Sequence, residues 1–135
     1  MELNIKADKS NLGKIFDFVN YKLSPYSVPD NIIAKINIAV EEIFVNIANY
    51  AYENEKGEVT IECSIVNDLP EIEIIFIDSG KKFNPLKHID PDTTLMAEDR
   101  EIGGLGILLT KKLMDDVSYE YKDGKNVLKI VKKLN

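Results

Sequence analysis

The chain has 135 residues, 44% hydrophobic and 30% charged, with a formal net charge of −6. This length suits one domain spanning 1–135, and the composition suits a packed core rather than a disordered chain. The acidic balance argues against a duplex-DNA binder, and no apolar run approaches the ~20 residues of a membrane span.

Met1-Glu2-Leu3-Asn4-Ile5-Lys6 lacks the basic-then-apolar layout of a signal peptide, so the expected compartment is the cytoplasm. Met1 to Ala7 alternates weakly and is predicted as a first strand. Ser10 or Asn11 can cap a helix through about Leu23, with Leu12, Ile15, Phe16 and Val19 on one face. Ser24 to Pro29 reads as a turn. Asp30 can cap a longer helix running to about Glu53, with an apolar stripe of Ile33, Ile36, Val40, Ile43 and Ile47. Glu55-Lys56-Gly57 is the turn into the sheet.

Val59, Ile61, Cys63 and Ile65 alternate as a strand. Cys63 is the single cysteine, so no intramolecular disulfide forms, and its parity marks it as a small buried hydrophobe. Asn67 to Pro70 is a hairpin turn, and Glu71 to Asp78 the next strand. In that strand Ile72, Ile74, Phe76 and Asp78 share one face. Asp78 thus continues a buried stripe, a costly place for a carboxylate without a partner.

From Gly80 to Ile102 periodicity is lost. A loop this long in a compact domain is usually functional or mobile, and we read it as a lid. A helix from about Gly104 to Met114 follows. Strands Val117 to Lys122 and Val127 to Leu134 are joined at Asp123-Gly124, a hairpin signal. The order β-α-α-β-β-lid-α-β-β predicts an α+β two-layer sandwich, a mostly antiparallel sheet with helices on one face.

Three segments carry chemistry. Glu42 and Asn46 are four apart and Asn49 three further on, so a polar seam runs beside the apolar stripe of the second helix. A solvated helix surface would also carry such a seam, although asparagines are poor helix formers. Asp78-Ser79-Gly80 is a strand-terminating turn, or a carboxylate placed to accept from a base amino group, with Gly80 allowing close backbone approach. Gly103-Gly104-Leu105-Gly106 is a flexible loop end, or a helix start whose exposed N–H groups bind phosphate. It is neither a P-loop nor a Rossmann turn, since it lacks the Gly-Lys-Ser/Thr ending and a parallel βαβ context. Arg100, the one arginine, sits just before it and could reach a terminal phosphate or remain a solvated loop charge. Lys81 and Lys82 carry the same ambiguity, and His88 reads as a surface loop residue.

In this order and spacing, the three segments resemble the N-box and two glycine boxes of the GHKL ATPase superfamily, which has the Bergerat nucleotide-binding fold. The finer resemblance is to bacterial anti-sigma factor serine-protein kinases. Ala39 to Tyr52, Asp78 to Pro85 and Gly103 to Asp115 carry it. It implies ATP and Mg2+ as cofactors. Asn46 would ligate Mg2+, Glu42 would orient or deprotonate the attacking hydroxyl, and Asp78 would read adenine. Gly103, Gly104, Leu105 and Gly106 would cradle phosphates. Asn49, Gly80 and Phe83 join the nucleotide-binding set, and Arg100 joins Glu42 as catalytic. Two positions depart from the wider superfamily. Lys82 stands where many members have a second glycine, and no hydroxyl residue follows Tyr121, where many relatives carry a supporting threonine.

The resemblance implies a protein serine kinase acting on a STAS-type anti-anti-sigma protein, with a sigma factor as competing partner. Relatives that bind sigma factors are often dimers, so a homodimer is admitted. Neither nucleic acid nor membrane is an expected partner. The alternative is a nucleotide-gated binding module that sequesters a sigma factor or other regulator without phosphotransfer. An orphan histidine-kinase ATP domain fits less well, because the chain has no helical histidine-bearing segment.

Overall fold

The computed structural model describes residues 1–52, 57–66, 68, 70–88 and 105–135. The elements are β1 (Glu2–Lys6), α1 (Leu12–Leu23), α2 (Asp30–Tyr50), β2 (Glu58–Val66), β3 (Glu71–Asp78), α3 (Leu105–Leu113), β4 (Asp116–Lys122) and β5 (Lys125–Lys133). They form the expected α+β architecture: a five-stranded sheet in the order β1-β2-β3-β5-β4, with every neighbouring pair antiparallel. Among the described residues no helix is long and apolar enough to cross a membrane.

The period-2 pattern of the strands decides which face is covered. Val59, Ile61 and Cys63 of β2, Ile72, Ile74 and Phe76 of β3, and Leu128 and Ile130 of β5 are buried on one face. Ile15, Val19 and Leu23 of α1 pack on that face, with Ile36, Ala39, Val40, Ile43 and Phe44 of α2 and Ile107 of α3. The α2 stripe is thus wider than the sequence reading: Ala39 and Phe44 join it, while Ile33 and Ile47 lie at its partly buried margins.

Local signals shift some boundaries. Asn11 stands at the N-cap of α1 without a side-chain cap bond, and the carboxylate of Asp8 accepts from Ser10 N at 3.0 Å and caps a short 3-10 turn ahead of α1. Asn11 instead donates from its amide to Lys6 O at 3.0 Å. Asp30 lies inside the first turn of α2, with Pro29 as the capping residue, so its charge complements the helix dipole without a cap bond. Helix α2 ends at Tyr50 rather than Glu53. After β3, residues Pro85–His88 form a 3-10 turn. The remainder of the expected lid, from 89 to 102, lies outside the described residues, as do parts of the turns at 55–57 and 67–70.

The connections explain why functional groups gather at one end. Strands β3 and β4 flank α3 in sequence and run in the same direction, with antiparallel β5 inserted between them. This is a split β-α-β unit, which a reading of consecutive hairpins misses. A helix joining two strands that point the same way returns along the sheet, so α3 starts near the C-terminal end of β3. Helix α2 leads into β2, which runs opposite to β3, so the C-terminal end of α2 reaches the same edge. The hydrogen bond from Lys81 N to Ala51 O, 2.9 Å, ties the two ends together.

Candidate functional site

Asp78 is the last residue of the central strand and is only 6% exposed. Its neighbours across the sheet are Val59 on β2 and Asn126 on β5. Oδ1 accepts two hydrogen bonds, from Gly80 N and from Asn126 Nδ2, both 2.9 Å. Among the described residues, Oδ2 accepts none. Burial raises the Asp78 pKa above the ordinary carboxylate value, and the bonds from Asn126 and Gly80 oppose that rise. Among the described residues the side chain therefore keeps one acceptor without a partner at the end of a buried apolar stripe.

Gly80 has a reason to lack a side chain that sequence reasoning did not find. A Cβ there would lie 2.7 Å from the carbonyl carbon and the Cβ of Ala51, and nearer still to its oxygen. The close approach at this position is to the end of α2. Tyr52 locks the same corner. Its hydroxyl donates to Glu58 O at 2.7 Å and accepts from Ser79 N at 2.9 Å, while its ring occupies the space a Cβ on Gly57 would need. Phe83 is 43% exposed, with its backbone N–H donating to Asn126 Oδ1 at 3.1 Å. Lys82 places its ammonium 5.0 Å from the ring centroid of Tyr121, a cation–π contact that gives this lysine a structural use.

Glu42 and Asn46 project from α2 one turn apart, both half-buried, and Asn49 is exposed. Neither Glu42 nor Asn46 makes a side-chain hydrogen bond or ion pair among the described residues. Glu42 lies against the first turn of α3. A Cβ on Gly106 would overlap Glu42 Oε2 and come within 3.3 Å of its Cδ. Gly106 O accepts from the fully buried Thr110 hydroxyl at 2.9 Å. Residues 42 to 51 span about 14 Å along the helix at 1.5 Å per residue. An elongated ligand could therefore run from Asp78, beside Ala51, to Glu42 and the start of α3.

The structure sets Glu42 against Gly106 at one end, and Asp78, Gly80 and Phe83 around Asn126 and Ala51 at the other, with Asn46 on α2 between the two ends. Arg100, Gly103 and Gly104 lie outside the described residues, and Leu105 is described only as the first residue of α3. Sequence reasoning missed Asn126, Tyr52 and Tyr119. Asn126 was detectable by the signal that singled out Asp78: it is a polar residue in step with Leu128 and Ile130 on the buried parity of its strand.

The donor set suits a nucleotide with a divalent cation. Mg2+ favours oxygen ligands, keeps several waters and usually takes few protein groups beside substrate phosphates. The Asn46 amide oxygen, one turn from Glu42, can supply such a ligand. No cluster of three His, Cys, Asp or Glu side chains able to hold a metal occurs among the described residues. The helix start at Leu105–Gly106 presents backbone N–H groups and a positive dipole end, which favour phosphate.

Residues 5–132 match the profile of the histidine kinase-like ATPase domain. The serine-protein kinase RsbW of Listeria monocytogenes serovar 1/2a is 37% identical over 101 residues, covering 71% of this chain and 63% of that protein. RsbW of Bacillus cereus is 35% identical over 100 residues, covering 71% and 61%. The chain thus spans less than two thirds of the length of these relatives. Among solved structures, the RsbU and RsbW domains of a Mycobacterium tuberculosis protein superpose with a TM-score of 0.66 at 16% identity, covering 99% of this chain and 32% of that one. A histidine kinase domain from an Erythrobacter litoralis blue-light activated kinase gives a TM-score of 0.57 at 14% identity, covering 93% and 60%.

Proposed function

The chain belongs to the histidine kinase-like ATPase family, and from that premise we propose that it binds Mg-ATP at the convergence of β3, α2 and α3 and phosphorylates a serine of a STAS-type anti-anti-sigma protein. The observation that carries this is the seating of Glu42 against Gly106. It puts a carboxylate that has no partner among the described residues beside a helix start suited to phosphate, at the far end of a span that begins at Asp78 Oδ2, which accepts no bond among those residues. The serine-protein kinase relatives support the reaction class.

When bound, ATP would supply the phosphoryl group and Mg2+ would neutralise phosphate charge. Asp78 Oδ2 accepts from the exocyclic amine of adenine, which sets the base. Gly80 and Phe83 border that base, and Asn49 lies on the same helix face as Asn46. The amide oxygen of Asn46 would hold the cation. Backbone N–H groups of Gly103 to Gly106 would hold the phosphates, and Arg100 would pair with the terminal one. Glu42 takes the proton from the serine hydroxyl as its oxygen bonds to the γ-phosphorus and the bond to the bridging oxygen breaks. Phosphoryl transfer needs positioning and charge neutralisation more than covalent help, which matches this set of groups.

A sigma factor is the competing partner in this proposal, and the protein can act as a homodimer in the cytoplasm. The test is incubation with labelled Mg-ATP and a STAS-domain protein from the same genome, with Glu42→Ala as control. Label on the STAS serine that disappears in the variant supports the kinase. Measurable ATP binding with no label defeats it for that substrate and leaves a nucleotide-gated sequestering module.

A further inference from the structure

Asn126 is 6% exposed, and its amide uses every hydrogen-bonding position it has. Oδ1 accepts from Phe83 N and from the Tyr119 hydroxyl. Nδ2 donates to Lys81 O and to Asp78 Oδ1, each at 2.9 Å. The backbone groups fix the amide's orientation. Phe83 N–H can only donate and Lys81 O can only accept. A flipped amide would set donor against donor at one and acceptor against acceptor at the other. With one N–H held by Lys81 O, the second is committed to Asp78.

We infer that Asn126 is the positioning residue for base selection: it pins Asp78 through Oδ1 and leaves Oδ2, which accepts no bond among the described residues, as the acceptor offered to the ligand, so that 6-aminopurines bind and 6-oxopurines are refused. This rests on Asp78 being the base-reading group. A hydroxyl side chain could not do the same work, because one O–H serves either Lys81 O or Asp78 but not both. The amide also clamps Lys81 and Phe83, directly after the glycine turn.

The chemistry of refusal follows from protonation. A 6-oxopurine presents an acceptor where Asp78 presents an acceptor, so it binds only when Oδ2 carries a proton. Burial favours that protonated form, and the Asn126 bond opposes it. Among the described residues, the ionisable groups facing Asp78 are the hydroxyls of Tyr52, just past α2, and Tyr119, from β4. Burial raises both above the ordinary tyrosine value, so neither changes charge near neutral pH. Val59 faces it from β2 and Asn126 from β5, and neither titrates.

The experiment is isothermal titration of ATP and of inosine triphosphate, each with Mg2+, across roughly pH 5 to 8. It uses the wild type, Asn126→Ala and Asn126→Thr, with folding checked by circular dichroism. The wild type is expected to prefer ATP by at least about 100-fold at neutral pH. Asn126→Ala narrows that preference by about tenfold or more and raises the pH below which ATP affinity falls. Asn126→Thr, with one donor to share, falls between the two. A folded Asn126→Ala whose ratio and pH midpoint equal those of the wild type overturns the inference. If the alanine variant does not fold, Asn126→Asp decides. A second carboxyl beside Asp78 must raise the midpoint by about one pH unit or more, and an unmoved midpoint overturns the role. A wild type that binds neither nucleotide refutes the base-reading site itself, an outcome distinct from a binding protein indifferent to Asn126.

Discussion

Replacing Gly106 with alanine should make the protein more stable and less active. Gly106 is the second residue of α3, and alanine is better than glycine in a helix interior by about 1 kcal/mol, somewhat less in a first turn. The added methyl overlaps Glu42 Oε2 and meets Cδ at 3.3 Å, while Glu42 Cβ is 3.7 Å away, an ordinary contact. The obstacle is thus the far end of a flexible, half-buried side chain, which can swing aside at little cost. The helix gain survives, worth a rise of a few degrees in Tm, about 2–5 °C for a domain of this size. Activity does not survive, because a displaced base typically costs 10²–10⁴-fold. Thermal unfolding and labelled phosphotransfer to the STAS protein measure the two effects. The double variant with Glu42→Ala separates displacement of Glu42 from obstruction of phosphate. If displacement is the cause, Gly106→Ala adds nothing to the loss from Glu42→Ala. A Gly106→Ala protein that is stabilised and fully active refutes the placement of Glu42 as the working group. A destabilised one refutes the claim that the side chain can yield.

Other expectations rest on separate groups. Asp78→Asn should weaken ATP by about 10- to 100-fold, the value of a hydrogen bond to a charged partner, as read by titration calorimetry. An unchanged affinity would remove adenine reading from this residue. Burial pushes the Cys63 thiol from 9.0 up to about 11, so the folded state keeps a proton that the unfolded chain releases. The stability difference between wild type and Cys63→Val should be flat below 9.0. Above that value the wild type should lose up to about 1.4 kcal/mol per pH unit until the folded thiol ionises, as followed by denaturant titration. Tyr52→Phe frees Ser79 N and Glu58 O at a partly exposed corner and should cost about 1 kcal/mol in the same assay. Asp123 and Gly124 have φ of 55° and 75°, so Asp123→Asn should be neutral or stabilising by a few tenths of a kcal/mol.

Element types were legible because their periods are clean. Glu71 to Asp78 carries Ile72, Ile74 and Phe76 on one parity, and its bounds match the observed strand. The Asp123-Gly124 hairpin was equally plain, since few residues adopt its left-handed turn. Less legible was whatever depends on contacts between distant segments. Asn126 and Asp78 are 48 residues apart, and only the β3–β5 register brings them side by side. The reason for Gly80 lies in the position of Ala51, and that for Gly106 in the side chain of Glu42, neither of which a local pattern encodes. Reading Glu42 and Asn46 as a seam was correct about the helix face. The further fact that α3 covers one end of that seam needed the split β-α-β connection, which hairpin counting hid.

The central claim is that segments 42–50, 78–83 and the start of α3 line one nucleotide pocket. Backbone-amide chemical-shift mapping during titration with ATP and Mg2+ tests it most directly. The expected result is a saturable set of perturbations centred on Asn46, Gly80, Phe83 and Gly106, with Asp78→Asn reducing those near Gly80 first. Saturable binding that moves none of these amides, or shifts confined to another face of the sheet, would contradict it.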